Sequence, residues 1–346
     1  MATITIVGAG MMGSALAFPA CENGHLVRLT GTHLDRDIIT TSIQTGRHPK
    51  FAKDFPLGME YYQIEDLEKV IDGADMLICG VSSFGVDWFA EKVLPLVPES
   101  LPILSVTKGL VSTEDDELLC YPDYWAKKLA PKKHCLNAIG GACTSYELVA
   151  QDPTVVTFCG QNPKVLASMK TCLERPYYHI EISTDVVGVE TAVALKNAYA
   201  MGVTIAMGLN EKINGVGSIP HYNSQAALFG QATKEMQRLL RILAGSDRSL
   251  YVGIGDLYVT IFGGRTRLVG SLLGRGFSFE DSMKQLEGMT MESTVITERM
   301  AHVIKKMSEQ GKLNICEFPL LKHLGEVICE GKPADIDWES FLDTNL

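Results

Sequence analysis

The stretch Ile4-Thr5-Ile6-Val7-Gly8-Ala9-Gly10-Met11-Met12-Gly13 decides the fold. Its first four residues are all β-branched and predict a short strand, while the apolar run Ala15-Leu16-Ala17-Phe18 that follows predicts a helix. Between them the glycines take the spacing G-x-G-x-x-G. The first permits a tight turn, the second lets backbone approach a pyrophosphate, and the third lets the helix pack on the strand. The helix N-terminus then faces the anion. That spacing is weak by itself; a strand directly before it and a helix directly after it give it meaning. A dinucleotide site is therefore expected at Gly8, Gly10, Met11, Met12 and Gly13.

Outward from this point, apolar β-branched runs at 2–7, 25–30, 75–81, 102–106, 134–139, 154–159 and 177–182 predict strands. Most are nearly continuous in apolar character, as in a parallel sheet covered on both faces. Helix-like segments between them make βαβ units, so residues 1–184 are expected to form a doubly wound Rossmann domain. Beyond Thr184-Asp185 the period changes to 3.6. The segment 224–244 places Leu228, Ala232, Met236, Leu239, Leu240 and Leu243 on one face and stops at Gly245, and a second helix is expected from Asp185 to about Met207. Residues 185–346 are thus expected to be an all-α domain, giving an α/β fold class with two domains meeting in a cleft.

Composition narrows the function. A net charge of −10 argues against nucleic acid or an anionic membrane surface as the main partner. No uncharged apolar run reaches bilayer length, and Met1-Ala2-Thr3-Ile4-Thr5 lacks the features of a signal peptide. The nine cysteines are scattered without a C-x-x-C pair, which reads as reduced core thiols in a cytoplasmic protein and not as a metal site. The run Lys127, Lys128, Lys132 and Lys133 reads as a solvated face, and Asp115-Asp116-Glu117 as a helix start.

Cofactor choice depends on the end of the second strand. Leu26-Val27-Arg28-Leu29 runs into Thr30-Gly31-Thr32-His33 with no acid before Asp35. Thr32 and His33, with Arg36 nearby, suit a 2′-phosphate, so the reading is NAD or NADP with a lean to NADP.

Three segments carry candidate chemistry. Lys108 lies in Val106-Thr107-Lys108-Gly109-Leu110, at the C-terminal end of a predicted strand, where ligands of doubly wound sheets bind. Lys196 is the only cation of Val193-Ala194-Leu195-Lys196-Asn197-Ala198-Tyr199-Ala200, where a lysine needs a partner or a way out to solvent. Asp256, in Gly253-Ile254-Gly255-Asp256-Leu257, is flanked by small and apolar residues and should be buried and paired.

These motifs together resemble the soluble NAD(P)-dependent glycerol-3-phosphate dehydrogenase family. The matching pieces are the glycine loop, Thr107-Lys108-Gly109-Leu110, Ala194-Leu195-Lys196-Asn197 and Asn223-Ser224-Gln225-Ala226-Ala227-Leu228 with Glu235-Met236. Gly255-Asp256-Leu257 with Thr260, Gly264-Arg265 and Glu287-Gly288 complete the series. The resemblance implies hydride transfer between NAD(P) and a small phosphorylated polyol or ketone, with Lys196 as proton donor and acceptor, held by Asp256. It implies that Lys108 touches both substrate and nicotinamide ribose. Gly141, Cys143, Thr260, Gly264, Arg265 and Thr266 fall to the substrate, and Ser145, Arg265 and Glu287 join the cofactor contacts. A homodimer is a further expectation.

The departures from the family lie in substrate recognition. Gly141-Ala142-Cys143 puts a thiol where a polar contact is usual, Arg265-Thr266 replaces Arg-Asn, and the segment from Asn210 to Tyr222 is long. They leave open a four- or five-carbon polyol phosphate or a hydroxy acid as substrate. Retention of Lys108, Lys196 and Asp256 speaks against an inactive nucleotide sensor.

Overall fold

In the computed structural model, which describes residues 1–113 and 117–341, the chain's first strand, β1 (Thr3–Val7), runs through the middle of an eight-stranded sheet. Ile4, Ile6 and Val7 are fully buried because helices cover both faces there. The following strands are β2 (Leu26–Thr30), β3 (Met59–Tyr62), β4 (Met76–Cys79), β5 (Pro102–Ser105), β6 (Leu110–Ser112), β7 (Leu118–Cys120), β8 (Cys135–Gly140), β9 (Thr154–Gly160) and β10 (Tyr178–Ser183). The sheet order is β10-β9-β8-β5-β4-β1-β2-β3, with β6 and β7 forming a separate two-stranded ribbon. The order reverses between β1 and β4, the crevice where doubly wound sheets bind ligands.

The sheet is not wholly parallel, as its apolar runs suggested. β8 and β9 are antiparallel, with Ala138 opposite Cys159. The connection between them contains a single five-residue helix, Ser145–Val149, too short to carry the chain back along the sheet for a parallel return. β9 and β10 are parallel to each other, joined across the helix Pro163–Leu173. Nor is every strand covered on both sides: along the edge strand β10, Tyr178 and Ile180 are buried while His179 and Glu181 are exposed. The expected helix start at Asp115-Asp116-Glu117 lies mostly outside the described residues. Glu117 itself leads into strand β7.

Two compact units emerge: Met1–Val111 with Leu119–Glu190, and Ser112–Leu118 with Thr191–Leu346. The change of pattern at 184/185 marks the start of the helix Val186–Asn214, whose first residues, as far as Glu190, group with the sheet. This helix extends seven residues past the expected end at Met207. It is long and apolar enough to cross a membrane by length and composition, but 78% of its apolar window is buried inside the protein. It is the core helix of the second unit, with Val193, Leu195, Ala198, Tyr199, Met201, Val203 and Ile205 fully shielded.

Glycines let other helices approach it closely. A Cβ on Gly270 would stand 2.5 Å from the carbonyl oxygen of Met201, one on Gly274 would stand 2.1 Å from that of Ile205, and one on Gly208 would meet the carbonyl of Ser271. The helix Gly264–Arg275 therefore lies backbone against backbone on the core helix. Helix Tyr222–Leu243 buries Leu228, Ala232, Met236, Leu239 and Leu240 of the face its spacing predicted, while Leu243 at its end is only half-buried.

Candidate active site

In the first unit the glycine loop leaves the end of β1. Gly8 has φ +105°, and a Cβ there would stand 2.7 Å from the carbonyl carbon of Gly80. A Cβ on Gly13 would meet the Gly8 carbonyl oxygen at 2.7 Å. Backbone packing thus dictates both glycines. Gly10 is different: the nearest atom to a Cβ there is Gly80 O at 3.6 Å. Gly10 is the N-cap of the helix Met11–Glu22 and offers no capping side chain, so that helix's first N–H groups face a place with room beside it. This arrangement fits a dinucleotide pyrophosphate. The residues that would hold it are Gly8, Gly10, Met11, Met12 and Gly13.

The end of β2 joins the same loop. Asp35 Oδ2 accepts from Thr32 N–H at 2.8 Å, from the Thr32 hydroxyl at 2.8 Å and from Ala9 N–H at 3.3 Å. The Thr32 hydroxyl, expected to be a cofactor donor, already serves this carboxylate, and Arg36 pairs with Glu65. His33 stacks obliquely near Trp88, with ring centroids 6.1 Å apart. A buried histidine supports the loop from the other side. Lys50 N–H donates to His48 Nδ1 at 3.1 Å, which leaves the proton on Nε2 to donate to Ala9 O at 3.2 Å. Burial lowers the His48 pKa, in keeping with this neutral form.

Lys108 follows β5, and its Nζ donates to Gly141 O at 2.8 Å. That bond ties together two segments that the sequence assigned to the substrate. Gly141, at φ +111°, makes the turn out of β8, and Cys143 packs its half-buried side chain against the sheet core. Ser145 opens the helix Ser145–Val149 behind its cap, Thr144, whose hydroxyl donates to Glu147 Oε2 at 2.7 Å.

In the second unit, Lys196 Nζ donates to Asp256 Oδ1 at 2.9 Å and to Thr260 Oγ1 at 2.7 Å. Thr260 spends its own hydroxyl proton on Asp256 O at 2.7 Å, one turn back in the helix Leu250–Phe262. Both oxygens therefore accept from the lysine, and the neighbouring Asp256 carboxylate favours the protonated amine. The side chains of the pair are 12% and 4% exposed, so the ion pair works at low dielectric. Gly264 starts the next helix at φ +77° with open space beside it. Arg265 in its first turn donates to the Thr290 hydroxyl, while Thr266 is buried. Glu287 is exposed, in the turn after the helix Phe279–Gln285.

Three residues of these sites were not singled out from sequence. Asp35 and His48 hold the glycine loop, and Glu190 is a fully buried carboxyl in the first unit. Only Asp35 had a legible signal, as the first acid after β2.

A Rossmann unit with an open glycine loop, followed by a helical unit with a shielded lysine–aspartate pair, defines a nicotinamide-dependent dehydrogenase acting on a CH–OH group. The comparisons go further. The chain belongs to the NAD-dependent glycerol-3-phosphate dehydrogenase family: residues 3–166 match its N-terminal part and residues 185–337 its C-terminal part. An NADP(+)-dependent glycerol-3-phosphate dehydrogenase of Archaeoglobus fulgidus is 33% identical, covering 82% of this chain and 83% of its own. A glycerol-3-phosphate dehydrogenase [NAD(P)+] of Geobacter sp. (strain M21) is 28% identical over 96% of this chain and 94% of its own. Among solved structures, glycerol-3-phosphate dehydrogenase of Plasmodium falciparum shares the fold with a TM-score of 0.84 at 18% identity, covering all of this chain and 96% of its own. That of Coxiella burnetii does so with a TM-score of 0.79 at 24% identity, covering 98% of this chain and 97% of its own.

Proposed function

We propose that this chain interconverts glycerol 3-phosphate and dihydroxyacetone phosphate using NAD or NADP, with Lys196 as the proton donor and acceptor. The single observation that carries the reading is the two-acceptor seat of Lys196, which loads the amine with the proton that ketone reduction needs at the carbonyl oxygen. In the reverse direction the neutral amine takes the proton of the substrate hydroxyl, and Asp256 stabilises the ammonium that forms. The nicotinamide, when bound, supplies or accepts the hydride. Lys108 adds positive charge at the substrate, and Arg265 supplies a guanidinium fork suited to phosphate oxygens. The names of the relatives support the substrate, and nine free thiols support a reducing, cytoplasmic setting.

The test is a panel of hydroxy and keto compounds, phosphorylated and not, assayed with NADH, NADPH and their oxidised forms by nicotinamide absorbance. Dihydroxyacetone phosphate should give the highest kcat/KM. A faster four- or five-carbon polyol phosphate, or an unphosphorylated hydroxy acid, would replace the substrate and leave the class of reaction standing.

A further inference from the structure

The N–H groups of the turn after β1 have different fates. Gly8 N–H donates to Thr30 O at 2.9 Å and Ala9 N–H to Asp35 Oδ2 at 3.3 Å, so both are spent inside the protein. Gly10 N–H has no partner among the described residues. The space beside it is open, since a Cβ on Gly10 would meet nothing closer than Gly80 O at 3.6 Å. A backbone donor left over at such a place is one that an anion takes. Where it points is decided at the other end of the same peptide group. The Ala9–Gly10 peptide is trans, so its C=O and its N–H point in opposite directions. Whatever holds Ala9 O therefore aims Gly10 N–H.

That oxygen is held by His48, whose Nε2 lies 3.2 Å away. Lys50 N–H donates to Nδ1 at 3.1 Å, so the single proton of the neutral ring sits on Nε2 and goes to the loop. The ring is 1% exposed and lies against Phe51, with centroids 4.6 Å apart. Phe51 in turn meets Phe18 edge-on at 5.9 Å, and Phe18 belongs to the helix Met11–Glu22 that the glycine loop opens. The segment carrying His48 is closed on itself, with Phe55 N–H donating to Gly46 O at 2.9 Å and Arg47 paired with Asp54. Nε2 is thus fixed relative to the helix whose N-terminus faces the anion.

We propose that His48 is a positioning residue for the cofactor: by holding Ala9 O it turns the Ala9–Gly10 peptide so that Gly10 N–H faces the pyrophosphate. This rests on the reading of the glycine loop as the dinucleotide site. Asp35 fixes the peptide before Ala9 and His48 the peptide after it, so the donor is oriented before any ligand arrives. A loop free to rotate there would have to be ordered at the cost of binding.

Three substitutions in the full chain separate the two bonds of the ring. His48→Gln sets an amide nitrogen where Nε2 stands and keeps the bond to Ala9 O. His48→Asn sets an amide oxygen where Nδ1 stands, keeps the bond from Lys50 N–H and falls short of Ala9. His48→Phe keeps a ring against Phe51 and has neither bond. By fluorescence titration with NADPH and NADH, Kd should stay within about twofold of wild type for Gln and rise at least about fivefold for Asn and Phe. In steady state the loss should fall on the KM for the cofactor and not on that for dihydroxyacetone phosphate. Affinity that follows melting temperature across the three, without rescue by Gln over Asn, overturns the inference, as does an unmoved Kd in His48→Asn. Magnetic resonance of the wild type with isotope-labelled histidine gives a test that needs no variant to fold. The Nε2 proton, recognised by its proximity to the Phe51 ring, should exchange slowly and shift when NADPH binds. A fast-exchanging or unshifted proton overturns the inference. A wild-type chain that binds neither NADPH nor NADH overturns the reading of the loop as a cofactor site, and the inference with it.

Discussion

Gly253 rests directly on Ala192: a Cβ added at 253 would stand 2.7 Å from the Ala192 carbonyl oxygen. This contact sets the distance between the helices Leu250–Phe262 and Val186–Asn214. One turn beyond each contact residue stand Asp256 and Lys196, bonded at 2.9 Å. The ion pair is thus a consequence of a glycine three residues before the aspartate. Gly253→Ala should push the helices apart and misplace the pair. Overpacking of this kind costs about 1–3 kcal/mol, and kcat should fall with it. A variant with wild-type kcat and melting temperature would show that the contact does not set the pair.

Removing the proposed proton carrier, Lys196, separates chemistry from binding. Lys196→Ala should lower kcat by about 10²–10⁴-fold, with cofactor affinity near wild type by fluorescence titration. Asp256 would then remain buried without its cation, and breaking such a pair costs roughly 3–5 kcal/mol. The variant should accordingly melt earlier. Retention of more than about a tenth of kcat would move the proton to another group.

Cofactor choice should turn on Asp35, whose carboxylate already holds Thr32 and the Ala9 amide. A 2′-phosphate arriving there would meet a negative charge. Asp35→Asn keeps an acceptor for the amides and removes that charge, so the NADPH-to-NADH ratio of kcat/KM should rise by about tenfold. A ratio unmoved by the substitution would place the adenosine ribose elsewhere.

Much of this was legible in the sequence, for a definable reason. Seven strands, the glycine loop and the pairing of Lys196 with Asp256 followed from local period, from turn chemistry or from family resemblance. What escaped depends on contacts distant in sequence. Met59-Glu60-Tyr61-Tyr62 is too short and too polar to signal a strand, and it is one only because β2 offers an edge. The antiparallel turn of β9 depends on a short connection, which an apolar run does not announce. His48 acquires its role from Ala9, 39 residues away.

Stability should depend on pH through two buried carboxyls. Burial raises Glu190 to about 8 and Glu235 to about 7, from an ordinary value of 4.5. Between those limits the folded chain binds more protons than the unfolded one, so stability must fall as pH rises from 4.5 through about 8. Urea unfolding at about pH 5 and about pH 9 should differ by at least about 1 kcal/mol. Glu190→Gln should reduce the difference and raise stability at the alkaline end. A variant with the same dependence as the wild type would assign the slope to other groups.

The proposed substrate anchor, Arg265 with Thr266, is where the sequence departs most from the family pattern. Arg265 sits exposed in the first turn of the helix Gly264–Arg275 and donates to the hydroxyl of Thr290, which a phosphate can displace. A guanidinium gripping phosphate makes charge-assisted bonds worth about 1.5–3 kcal/mol. Arg265→Ala should therefore raise KM for dihydroxyacetone phosphate by about 10–100-fold and leave unphosphorylated analogues untouched. Thr266, next in the chain, is buried and offers one short hydroxyl. Thr266→Asn adds an amide donor, and a neutral hydrogen bond is worth on the order of 1 kcal/mol, or about fivefold in affinity. If the amide reaches the phosphate, KM falls. If it cannot, the longer side chain overpacks its buried position, melting comes earlier and KM stays where it was. An Arg265→Ala enzyme with unchanged KM would remove the phosphate anchor from this helix altogether.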